Sequence, residues 1–79
     1  MRILDLNKQK KLNNVILYLT PEEAQEMKDS LEVLIKNKDH HHSHISDENF
    51  EKEITVCIYR DDNLSSFDDR SRTLILRDE

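Results

Sequence analysis

The sequence predicts an α+β fold. The expected form is a two-layer sandwich in which one long helix, over residues 21–37, packs on a mostly antiparallel sheet of four to five strands in the order β-β-α-β-β-β. Three observations carry this. Thr20-Pro21-Glu22-Glu23 is a helix start signal. Strand-length apolar runs, Val15–Leu19 and Ile54–Tyr59, lie on either side of that helix. The chain has 79 residues, room for one small core, and is read as a single domain over 1–79.

Arg2 to Leu6 is short and partly alternating, with Leu4 and Leu6 on one face of a strand and Ile3 on the other. Residues 7–14 are polar and basic and read as a loop. Val15-Ile16-Leu17-Tyr18-Leu19 is a continuous run of β-branched and aromatic residues, predicting a strand covered on both faces and paired with the first through the basic loop.

The helix is predicted by several mechanisms at once. Thr20 can cap a free backbone N–H, Pro21 stands where its missing N–H costs nothing, and Glu23 completes a capping box. Carboxylates at 22, 23 and 26 suit the positive end of the helix dipole. Ala24, Met27, Leu31, Leu34 and Ile35 form one apolar stripe. Asn37 is expected as a left-handed cap in a chain without glycine.

The segment Asp39-His40-His41-His42-Ser43-His44-Ile45 and the alternating run Ile54–Tyr59 are read as a hairpin turning at Asp47-Glu48-Asn49. Beyond it, Leu64, Phe67, Ser71, Leu74 and Ile75 keep helical spacing, while Thr73-Leu74-Ile75-Leu76 reads as a short strand. The expectation is a loop or single turn over 61–70 and a strand over 71–77.

One helix covers one face of a sheet. Leu17, Leu19, Ile54, Val56 and Ile58 are expected beneath the helix stripe. Ile16, Tyr18, Thr55, Cys57, Tyr59 and Ile75 are expected on the opposite face, which is too apolar for ordinary solvation. Either the C-terminal segment with Phe67 or a second copy of the chain would cover it; a two-fold homodimer is the expected cover, with Ile16, Tyr18, Cys57 and Tyr59 at the interface.

Composition narrows the function classes. Charged residues make up 37% and apolar ones 35%, and the net charge of −5 argues against direct nucleic-acid binding, which draws its affinity from Lys and Arg. No apolar run approaches the roughly 20 residues that span a bilayer, and the first residues do not read as a secretory leader. A lone Cys57 inside an apolar strand suits a reducing compartment, so a cytoplasmic location is expected. Absence of glycine removes phosphate-cradling loops and nucleophile elbows.

His40, His42 and His44 would line one strand face at a period of two, a spacing at which imidazoles share a divalent transition metal, with Glu51 or Glu53 completing the shell. The plainer reading is a solvated His-rich edge paired to glutamates. The same cluster also suits a pH-sensitive contact. Cys57, between Val56 and Ile58, reads as a small hydrophobe rather than a nucleophile. Acids at 22, 23, 26, 29 and 32 would let the helix mimic nucleic-acid phosphates, although an exposed helix face normally carries such charge. Lys8, Lys10, Lys11, Arg70 and Arg72 read as solvated groups without aromatics for base stacking.

The functional expectation is a small acidic protein-interaction or regulatory module, homodimeric, non-enzymatic and without a cofactor, that binds another protein and no membrane. The alternatives are a metal-binding or metal-sensing protein using the His40–His44 cluster, and an acidic nucleic-acid mimic that inhibits a nucleic-acid-binding protein.

Overall fold

Helix α1 begins where its start signal stands. Thr20 Oγ1 accepts from the backbone N–H of Glu23 at 3.2 Å, and Glu23 Oε1 accepts from the N–H of Thr20 at 2.9 Å. This reciprocal box satisfies two of the donors that a helix start leaves open. α1 runs over Pro21–Lys36 and ends at Asn37, whose N–H donates to the Val33 carbonyl. Asn37 is extended, at φ −117° and ψ 101°, and not the expected left-handed cap. Left-handed backbone falls instead on Gln9, Phe50 and Asp78, which occupy in this glycine-free chain positions that glycine takes most cheaply.

The computed structural model describes residues 1–79. It is a small α+β fold with two helices and two two-stranded antiparallel sheets. The elements run β1 (Ile3–Asp5), β2 (Lys10–Leu12), α1, β3 (His42–Ser46), β4 (Glu53–Cys57), a 3-10 turn (Leu64–Ser66) and α2 (Asp69–Arg77). The single sheet of four to five strands under one helix is therefore not formed. The chain divides into two compact units, Tyr18–Tyr59 and Met1–Leu17 with Arg60–Glu79.

In the first of these units the expected hairpin is present. β3 and β4 pair antiparallel, with His44 opposite Thr55 and Ile45 opposite Ile54. The turn is held by one side chain: Asp47 Oδ1 accepts from the N–H groups of Glu51 at 2.7 Å and Lys52 at 3.1 Å. The Lys52 hydrogen bond is the main reason the Asp47 carboxyl sits below its ordinary pKa. Alternation sends Ser43, Ile45, Ile54 and Val56 to one face and His42, His44, Thr55 and Cys57 to the other. α1 packs against β3. Leu34, 1% exposed, and Ile45, 3% exposed, form the buried centre of this unit. Of the expected helix stripe only Leu34 is fully buried, and Ile35 remains 71% exposed.

The other unit departs further from expectation. The first strand pairs not with Val15–Leu19 but with Lys10–Leu12, in the register Ile3–Leu12, Leu4–Lys11 and Asp5–Lys10. The cause is a turn closed by Asp5, whose Oδ1 accepts from Asn7 N–H at 3.0 Å and Lys8 N–H at 3.2 Å. Such a turn reverses the chain at once, so the residues expected to be loop become the pairing strand. Val15–Leu19 is left outside both sheets.

The expected strand over 71–77 is helical. Asp68 Oδ1 accepts from Ser71 N–H at 2.8 Å, Asp69 lies in the first turn and Leu74 is buried. Here a capped start and helical spacing prevail over a short β-prone run. The expected turn within 61–70 is present as the 3-10 turn. The far end of α2 is tied to the first hairpin. Arg2 Nε donates to the Leu74 carbonyl at 3.0 Å, and Asp78 lies 3.7 Å from Arg2 and 3.8 Å from Lys11. A guanidinium at the last carbonyls suits the negative end of the helix dipole.

Candidate functional site

Two regions hold the residues singled out in the sequence. The first is the stretch before α1. Residues 14–20 have no turn, no bend and no place in a strand, and the boundary between the two units falls within them. Val15 is 53% exposed, Ile16 74%, Leu17 47%, Tyr18 89% and Leu19 37%. Leu17 and Leu19 therefore do not lie in a sheet beneath α1. Ile16 and Tyr18 do not share a sheet face with Cys57 and Tyr59, because the strand that would have carried them is not formed. The four proposed interface residues are nevertheless all exposed.

The main chain of Val15–Leu19 takes part in neither hairpin ladder and in none of the turn or cap hydrogen bonds between backbone groups. Residues 12–21 are also the longest stretch without a charged side chain. Across the chain, only Leu34, Ile45 and Leu74 are buried, while fourteen large apolar side chains are exposed.

The second region is the histidine hairpin. His42 and His44 share a face as expected, with ring centroids 5.2 Å apart in an edge-to-face arrangement. His40 does not join them. It precedes β3, in a turn where its N–H donates to the Asn37 carbonyl at 3.1 Å. The ring that approaches His42 from that side is His41, at 4.8 Å between centroids, with 3.4 Å between the two Nδ1 atoms. Strand alternation would send adjacent residues to opposite faces, but His41 lies outside the strand.

His44 is held from the opposite strand. Its Nδ1 lies 2.7 Å from Glu53 Oε1 and 2.9 Å from Thr55 Oγ1. Glu53 is thus one of the two expected carboxylate partners, while Glu51 contributes its backbone N–H to the turn. Nowhere do three His, Cys, Asp or Glu side chains converge as a ready-made metal shell.

Cys57 stands opposite His42 in the ladder and is exposed. Partial burial pushes its thiol up, away from the thiolate a nucleophile needs. The acids of α1 lie elsewhere on this unit. Glu22, Glu26 and Asp29 border a shallow groove with Val33 and Ser43. Among the bases, Arg70 donates to the carbonyls of Gln9 at 3.3 Å and Glu79 at 3.1 Å, and Lys11 faces Asp78. Arg72 bonds the Phe67 carbonyl and Asp69. These groups tie structure together rather than forming a basic patch.

No helix is long and apolar enough to cross a membrane. Comparison with known proteins finds no matching family model, no matching curated protein and no matching solved structure.

Proposed function

We propose that this chain is a non-enzymatic protein-interaction module that works as a homodimer, and that Val15–Leu19 is the segment through which two copies join. The observation that carries this reading is the exposed, strand-prone run whose backbone enters no ladder. An unpaired run of this composition can be added as a strand against another chain.

The occupant is a second copy because the segment suits its own image. Antiparallel pairing about Leu17 sets Val15 against Leu19 on one face and Ile16 against Tyr18 on the other, all apolar or aromatic pairs. Two chains of net charge −5 repel, and the uncharged stretch 12–21 lets them approach where local repulsion is least. The acidic side chains Glu22, Glu26 and Asp29 of α1 are assigned to a further protein partner.

Amide hydrogen exchange tests the segment directly. Protection of the Val15–Leu19 amides should rise with protein concentration as the ladder between copies forms. Exchange at the rate of an unstructured peptide at every concentration would refute the pairing.

A further inference from the structure

We propose that His41 and His42 are the anchoring pair of a binding site for a divalent transition metal ion of the zinc class, completed by Asp39 or His40. The site differs from the period-two set His40, His42 and His44 expected of a strand, and it does not depend on dimer formation.

The first argument is a distance. The Nδ1 atoms of His41 and His42 are 3.4 Å apart. An N–H···N hydrogen bond is best near about 2.9–3.0 Å, so this is a long one. Two imidazole nitrogens on a tetrahedral zinc, each about 2.0–2.1 Å from the metal, stand about 3.4 Å from each other. The pair is thus set at the edge of a coordination tetrahedron, with each imidazole proton on Nε2 when the ion is bound.

The second argument is the surroundings. Asp39, His40, His41 and His42 line one open cleft of about 270 Å³. Asp39 and His40 are exposed and lie on a turn pinned by Asn37. Its Oδ1 accepts from Asp39 N–H at 3.1 Å, and its carbonyl accepts from His40 N–H at 3.1 Å. The backbone there is held while the side chains remain able to turn toward the ion. A carboxylate and imidazoles are the donors that zinc, nickel and copper accept.

The third argument is support from the ladder. The His42 ring also meets His44 edge-to-face, and His44 is held by Glu53 and Thr55 from β4. His44 therefore positions His42 without being a ligand itself. A ligand ring held by such outer contacts binds metal more tightly than a loose one.

The experiment uses the untagged full chain and zinc ion alone, with a chromogenic chelator as competitor. The wild type should bind one zinc per chain. His41→Gln and His42→Gln should each weaken binding more than about tenfold, and His44→Gln less than either. No uptake at equal stoichiometry would overturn the proposal, as would equal small losses from all the histidine variants, the mark of a diffuse histidine tract. Imidazole nitrogen-15 shifts of the wild type give a readout that needs no variant. Zinc should move the Nδ1 resonances of His41 and His42 and leave Nδ1 of His44 near its starting value. A dominant shift at His44 Nδ1 would overturn the assignment.

Discussion

Leu34→Ala should destabilise the chain by about 2–4 kcal/mol, the range for a buried leucine whose loss leaves a cavity. Leu34 is 1% exposed and, with Ile45, forms the buried centre of the unit made by α1 and the β3–β4 hairpin. A domain of this size rarely holds more than about 3–5 kcal/mol in its core, so the loss consumes most of what is there. Ile35→Ala is the control. Ile35 is the next residue on the same helix but is 71% exposed, so the expected change is within about 0.5 kcal/mol. Urea unfolding at one fixed protein concentration, followed by far-ultraviolet circular dichroism, measures both. Equal midpoints for the two variants would mean that Leu34 is not the centre of the core.

The double variant Ile16→Lys, Tyr18→Lys should weaken self-association by more than about a hundredfold, or about 3 kcal/mol. A two-fold contact loses each side chain twice, and four ammonium groups are brought together in a strand pair that has no acid opposite them. Folding within each copy should change little, because Ile16 is 74% and Tyr18 89% exposed. The thermal midpoint of the wild type should rise with protein concentration, as it does when association stabilises the folded state. That of the variant should not. A variant that keeps the concentration dependence would show that copies join elsewhere.

What could be read from the sequence was local. The start of α1 was legible because Thr20, Pro21 and Glu23 act within one turn of each other. The β3–β4 hairpin was legible because alternation over Ile54–Tyr59 and the polar turn at Asp47 point to the same answer. Pairing choice was not. Val15–Leu19 is the better strand by composition, yet β1 meets Lys10–Leu12 first because Asp5 closes a turn onto Asn7 and Lys8. The signal was Asp5 with Asn7 in the loop, but composition alone does not say which strand reaches the partner.

α2 was obscured by ambiguity of period. Thr73–Leu76 is short enough to be a strand, and only the Asp68 cap with Ser71 three residues later separates the two readings. At the candidate site, Glu53 beside His44 followed from the hairpin. The approach of His41 to His42 did not, because it depends on where β3 begins.

Sedimentation equilibrium of the wild-type chain, from low micromolar to high micromolar concentration, tests the central claim most directly. The account predicts a reversible monomer–dimer equilibrium, with the mass of two chains at the upper end and a shift toward one chain on dilution. A mass of one chain throughout the range would contradict it, and Val15–Leu19 would then be an exposed apolar segment with no second copy to cover it.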